Sequence, residues 1–198
     1  CNPFELFSGK WPQMNEENLI VGLLNGVAEK DESDFGKLYE ATQRKVFHYL
    51  LRVTNSRELA EDLLIESYTE VWKSAKKFRG RSKVITWIIG IARNLAMNQI
   101  RKNRMEDTRL EGDPAYPSDQ FLHSARAEKL QILEEALNRL SLKHREILDL
   151  VFLQEMAYED IAQIMRLPVN TVKTRVFYAK EKLRAIMTGM GVKKDDLL

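Results

Sequence analysis

The sequence predicts an all-α protein: two small helical domains joined by a flexible acidic linker, the second domain containing a helix-turn-helix. Three observations carry this expectation. Apolar residues recur at helical spacing along most of the chain, and no stretch keeps the strict alternation of a half-buried strand. Between Glu106 and Ser124 that period stops, Pro114 and Pro117 appear, and acidic and small polar residues dominate, as in an extended linker. With 198 residues, 44% of them hydrophobic, each half can bury only about 60% of its unfolded surface, enough for a small core. The expected layout is a domain over residues 16–104, a linker over 105–125 and a second domain over 126–187.

The first helix, about Glu16 to Val27, gathers Leu19, Leu23 and Leu24 on one side. A second is expected to begin after Asp34 as N-cap and to bury Phe35, Leu38, Tyr39, Thr42, Val46, Phe47 and Leu50. Ser56 suits the cap of a third, running to about Ala75 with Leu59, Leu63, Leu64, Tyr68, Val71 and Trp72 inward. A loop from Arg79 to Lys83 contains Gly80. The fourth helix, about Val84 to Arg104, has Trp87, Ile88, Ile91, Leu95 and Ile100 as its apolar stripe, so Trp87 reads as core more readily than as a stacking platform.

Beyond the linker one helix carries Leu130, Leu133, Leu137 and Leu140, and another, capped by Ser141, carries Ile147, Leu148, Val151 and Phe152. Tyr158 to Phe177 then has the grammar of a helix-turn-helix. Ile161, Ala162 and Met165 face inward, Leu167 fills the turn, Pro168 blocks continuation of the first helix and Asn170 is the expected cap of the second. Arg166 sits where a glycine is usual and a left-handed backbone is needed. Val172, Val176, Ala179 and Leu183 form the buried stripe of the second helix, leaving Thr171, Lys173, Thr174, Arg175, Tyr178 and Lys182 able to reach base edges and phosphates in a major groove. A hairpin that packs and binds nothing is the competing reading. The polar tail after Gly189 is expected to fray.

Charge is sorted along the chain. From Val71 to Met105 there are ten Lys/Arg and no Asp or Glu, although the net charge of the whole chain is only +2. Glu58, Glu61, Asp62, Glu66 and Glu70 precede this block, and Glu106, Asp107, Glu111, Asp113 and Asp119 follow it. Phe78, Trp87 and several Asn/Gln lie among the cations, so the block combines phosphate neutralisation, stacking surface and amide hydrogen bonding, which suits a nucleic acid.

Other classes are disfavoured. The longest strongly apolar run, Val84 to Ala92, is too short to span a bilayer. The single cysteine is residue 1, so no internal disulfide can form, which fits a reducing, cytoplasmic setting. A chain opening on Cys reads as incomplete or extended by added residues, with Met14 as the expected natural start and residues 1–13 of uncertain origin. His48, His123 and His144 stand apart from Cys or carboxylates at metal-ligand spacing and read as structural or solvent-facing. With no Gly-rich phosphate loop and no Ser/His/Asp grouping, the expectation is no catalytic residue, no metal and no cofactor.

EDLLIESYTEVWK at Glu61 to Lys73, FRGRSKVITWIIGIARN at Phe78 to Asn94 and LPVNTVKTRVFYAKEKLR at Leu167 to Arg184 together resemble a bacterial extracytoplasmic-function sigma factor, over about residues 16 to 187. The resemblance implies a non-catalytic initiation factor that binds core RNA polymerase and promoter DNA and is regulated by an anti-sigma factor. It assigns Glu61, Asp62, Glu66 and Thr69 to polymerase docking, with Ile65 departing from the family's frequent Gln. Arg79, Arg81, Lys83, Arg93 and Asn94 would hold the minus-10 element as melted single strand, where extruding a base costs a few kcal/mol. Ile89 and Gly90 depart from the aromatic-then-basic pair common in the family. Thr171, Lys173, Thr174, Arg175, Tyr178 and Lys182 would read the minus-35 element as duplex, with Tyr178 at an often basic position. A linker of roughly 20 residues reaches about 70 Å, close to two turns of DNA at about 34 to 36 Å each. A stand-alone DNA-binding regulator is the alternative; it would leave the acidic and the Trp-containing basic helices without a role.

Overall fold

The computed structural model describes residues 16–106, 132–133 and 135–192, and among these it contains helices and turns but no strand. The expected start at Met14, the linker beyond Glu106, Leu130, His123 and the tail beyond Val192 lie outside the described residues.

Helices α1 (Glu16–Ala28), α2 (Glu32–Thr54), α3 (Arg57–Ser74) and α4 (Val84–Glu106) pack as one unit. The turn before α2 differs from the expected one. Asp31, in extended conformation, is the N-cap and accepts a hydrogen bond from the Asp34 backbone N–H at 2.9 Å, so Asp34 stands inside the first turn. Its carboxyl lies so close to Gly26 of α1 that an added Cβ there would collide with it, and the glycine is what lets the two helices approach. Asn55 ends α2 in the left-handed region at φ 58°, and Ser56 caps α3 as expected, accepting from Leu59 N–H at 3.3 Å. A single 3-10 turn, Ala75–Lys77, follows α3.

Leu38, Val46, Tyr49, Leu50, Leu63, Tyr68 and Val71 form the middle of this core. Thr42, buried among them, donates its hydroxyl to Leu38 O at 2.6 Å or pairs with Tyr68 Oη, also at 2.6 Å, so neither hydroxyl is stranded. Phe35 meets Trp72 edge-on at 5.2 Å, and Lys30 lies over the Trp72 ring while donating to its carbonyl.

The stripe of α4 is rotated from the expected one. Val84, Ile88, Ile89, Ala92 and Ala96 are buried, whereas Trp87, Ile91, Leu95 and Ile100 are half-buried along one flank. Small alanines at i and i+4 let α4 approach its neighbours closely, and that moves the contact line away from the bulkier residues. The helix starts where Glu17 of α1 accepts from the Val84 backbone N–H at 2.8 Å, placing a carboxylate at the positive end of the helix.

In the second half, residues 135–138 are helical and α5 (Leu142–Leu148) passes into a wider π turn, Asp149–Leu153. Ser141 occupies the N-cap but makes no side-chain cap bond. The π turn inserts extra rotation, so Phe152 points outward, 54% exposed, and Val151 is only half-buried, contrary to the expected inward placement. Ile147 and Leu148 are buried as expected, and Glu146, Asp149 and Leu150 are buried beside them. Helix α6 (Tyr158–Met165) ends at Arg166 in the left-handed conformation, φ 54° and ψ 50°, which confirms the backbone the turn requires. Helix α7 (Val169–Gly189) begins two residues earlier than expected, with extended Pro168 at the cap and Asn170 inside the first turn. Val172, Val176 and Ala179 are buried, and Leu183 is half-buried.

The two halves meet. α2 packs on α5, and α4 packs on α6. At the junction Glu146 accepts from Tyr49 Oη at 3.0 Å and from Arg93 Nε at 2.6 Å, and Asp149 pairs with Arg52. Burial raises the Tyr49 pKa well above its usual value, with Glu146 adding to the effect. Burial also lifts Asp149 to about 6, against the opposing field and hydrogen bond of Arg52. A carboxyl that holds its proton more tightly folded than unfolded favours the folded state most below its ordinary value of 3.8, and that contribution is lost as pH rises through about 6. Asp149→Asn should therefore flatten the change in melting temperature between pH 4 and pH 7 relative to the unsubstituted protein, as thermal unfolding by circular dichroism would read. An identical profile in the two proteins would remove this assignment.

Candidate nucleic-acid and polymerase interface

Three surfaces bring the expected residues together. On α3, the inner face is taken by Leu63, Leu64, Ser67, Tyr68 and Val71, which leaves Glu61, Asp62, Ile65, Glu66 and Thr69 exposed side by side. Glu61 is engaged by Arg57 at 2.9 Å in an i,i+4 pair, and Thr69 donates to Ile65 O at 2.9 Å. Ile65 is 67% exposed, so its place is in the acidic face and not in the core.

The second surface is the cationic loop and the start of α4. Arg79, Arg81 and Lys83 are exposed around Gly80, whose φ of 66° lets the chain turn sharply there. Asn94 is exposed about three turns further along. Trp87 is half-buried with its ring edge-to-face against Phe78 at 5.6 Å, which agrees with a packing role. Ile89, which departs from the family's aromatic, is fully buried and belongs to the core. Arg93 differs from its companions. Its side chain is only 18% exposed and its guanidinium is held by Glu146 through Nε at 2.6 Å and Nη2 at 3.4 Å. Burial alone would lower its pKa, but the hydrogen bond and charge of Glu146 prevail and raise it.

The third surface is α7. Thr171, Lys173, Thr174, Tyr178 and Lys182 are exposed opposite the buried Val172, Val176 and Ala179, while Arg175 is half-buried. Asn170, Thr171, Thr174, Arg175 and Tyr178 line a shallow cleft together with His144 of α5. Burial, then Lys182 and Arg175, lower the His144 pKa, so the ring is neutral at pH 7. Sequence reasoning placed His144 apart from this surface because nothing in spacing links it to a helix some thirty residues later. It also left out Phe177, which is 60% exposed and meets Tyr178 edge-on at 5.5 Å. The buried spacing of Val172, Val176 and Ala179 was the signal that position 177 had to face out.

Among the described residues no group of His, Cys, Asp or Glu could hold a metal ion, and no helix is long and apolar enough to cross a membrane.

Comparison with known proteins points one way. Residues 38–106 match sigma-70 region 2, and residues 130–183 match sigma-70 region 4. The chain is 29% identical over 182 residues to the ECF RNA polymerase sigma-E factor of Haemophilus influenzae, an alignment covering 86% of this chain and 96% of that protein. It is 29% identical over 164 residues to the RNA polymerase sigma factor YlaC of Bacillus subtilis, covering 80% and 95%. Among solved structures, RpoE of Bartonella quintana, crystallised with the anti-sigma factor NepR, superposes with a TM-score of 0.65 at 26% identity over 78% of this chain and 97% of that one. Both family segments are present in order, and the relatives align over nearly their whole length: the chain belongs to the extracytoplasmic-function family of sigma factors.

Proposed function

We propose that this protein binds core RNA polymerase through the acidic face of α3 and directs it to promoters, holding the minus-10 element as melted single strand and reading the minus-35 element as duplex. The domain holding α1 to α4 performs the first two tasks, and the domain ending in α7 performs the third. Glu61, Asp62, Glu66 and Thr69 meet the polymerase. Arg79, Arg81, Lys83, Arg93 and Asn94 engage the displaced strand, whose backbone needs cationic clamping once its bases are unpaired. Thr171, Lys173, Thr174, Arg175, Tyr178 and Lys182 enter the major groove.

The observation that carries this reading is the outward face of α7, where the side chains able to reach bases and phosphates stand opposite a buried apolar stripe, directly after a tight left-handed turn. Control by an anti-sigma factor follows from the relative solved with one. The work is that of a cytoplasmic protein without catalysis of its own.

In-vitro transcription with purified core polymerase over a genomic promoter library tests the proposal. Start sites that appear only when this protein is added are the expected result. A protein that shifts duplex DNA by itself and leaves polymerase start sites unchanged would be a stand-alone regulator, and the sigma-factor reading would fall.

A further inference from the structure

Helix α5 brings His144 against the outward face of α7, where it lines one cleft with Asn170, Thr171, Thr174, Arg175 and Tyr178. The ring's Nδ1 is buried with no hydrogen-bond partner. Buried polar atoms in folded proteins are nearly always partnered, so an orphan beside an open cleft marks hydrogen-bonding capacity that the protein itself does not use. Among the described residues no carboxylate lines the cleft. Glu181, further along α7, is taken by Arg184 at 2.5 Å, and among the described residues neither Arg175 nor Lys182 has an ion-pair partner.

The fields that reach the ring are those of Lys182 and Arg175, and together with burial they favour the neutral imidazole. Its other charged neighbours have partners of their own. In α2, which packs on α5, Tyr49 and Arg52 hold Glu146 and Asp149. Within α5, Arg145 donates to Asn138 at 3.2 Å, and just before that helix Glu135 pairs with Arg139; Lys143 is exposed. Two cations and a neutral ring thus stand together without an anion among them. An anion placed there reverses the balance, because an opposite charge nearby favours the imidazolium.

The anion that a recognition helix meets is a backbone phosphate. Such a helix lies in the groove, while the helix packed beside it crosses the strand that walls the groove, so α5 is suited to backbone and not to bases. We infer that His144, together with Lys182, binds a phosphate of the duplex and takes up a proton as it does so, fixing the register of α7 in the groove. Phosphate contacts set register without carrying sequence information, which leaves Arg175 for a base edge. The inference rests on the proposed function, since it assumes that α7 enters duplex DNA. With one more proton held in the bound state than in the free state, affinity rises as pH falls. The gain levels off once the free ring is itself charged, below its ordinary value of 6.5.

Holoenzyme reconstituted with core polymerase tests it. The probe is a labelled promoter duplex taken from the transcription library, with the start region opened in advance so that melting does not enter, and binding is read by fluorescence anisotropy from pH 8 to pH 6. His144→Gln keeps a polar side chain that does not titrate, whereas His144→Lys is charged throughout. Relative to His144→Gln, the unsubstituted protein should gain about tenfold in affinity as the pH is lowered, the lower end for a hydrogen bond to a charged group. At pH 6 its log affinity should also fall more steeply with log salt, by about 0.9 for one phosphate contact, and at pH 8 the two slopes should agree. His144→Lys should show the tight binding and the steep slope at both ends. A ring that only supports packing would instead weaken binding by one factor at every pH, with the slope unchanged. That result, or a pH gain that survives both substitutions, overturns the inference. Should His144→Gln fail to fold, His144→Lys decides alone, since the pH-dependent gain must vanish in it. Holoenzyme that binds the duplex at no pH overturns the proposed function instead.

Discussion

Replacing Asp62 and Glu66 together with Arg is expected to abolish co-purification with core polymerase while leaving helicity intact. Both side chains are exposed on α3, whose packing is carried by Leu63, Leu64, Tyr68 and Val71 on the other side. Surface changes away from the core cost within about 0.5 kcal/mol, so the fold should survive. An interface that meets two reversed charges is another matter, because like-charge juxtaposition costs several kcal/mol. Each 1.4 kcal/mol is about tenfold in affinity, which takes a complex out of the range a pull-down retains. Ile65 lies between the two positions and gives the face an apolar centre ringed by carboxylates, an arrangement suited to a protein partner more than to solvation alone. Affinity capture on tagged core enzyme, with circular dichroism alongside, is the measurement. Unchanged capture of a well-folded variant would remove α3 as the docking face.

Arg175→Ala should relax discrimination at the minus-35 element and spare melting at the minus-10 element. Arg175 stands half-buried in the cleft that it lines together with Asn170, Thr171, Thr174, Tyr178 and His144. One bidentate contact from arginine to guanine is worth about 1 to 3 kcal/mol of discrimination, or roughly five- to 150-fold between right and wrong base pairs. The cations proposed to hold the melted strand belong to a different helix and loop, on α4 and the segment before it. Initiation should therefore fall on duplex templates and persist on templates opened in advance around the start site. Equal loss on both templates would argue that α7 and the α4 surface do not divide the work.

Most of the helical plan could be read from the chain. Periodicity located the helices, Ser56 announced the start of α3, and the requirement for a left-handed residue at Arg166 was visible in the helix-turn-helix spacing. Asp34 and Asn170 both looked like caps, since each is a good capping residue ahead of an apolar run, but Asp31 and Pro168 reached the extended backbone first and drew the helices forward. Phe152 looked like core because the spacing assumed an unbroken α-helix, and one π turn redirected it. In α4, bulk alone favoured Ile91 and Leu95, whereas close packing favours the face with alanines. The candidate surfaces fared similarly: the acidic face of α3, the Arg79 to Lys83 loop and the outward face of α7 were legible, while Arg93 was not distinguishable from its exposed companions.

The sequence by itself determined the helical class, the division of charge into an anionic helix, a cationic block and an anionic stretch, and the outward chemistry of α7, since each of these depends on residues a few positions apart. Only tertiary structure decided that Glu146 and Asp149 meet Arg93, Arg52 and Tyr49, that His144 lines the cleft beside α7, and that Ile89 belongs to the core. Those pairings join residues as far as 97 positions apart. No local pattern specifies them; they follow from which faces must be buried together and from the need to partner every charge that burial strips of water.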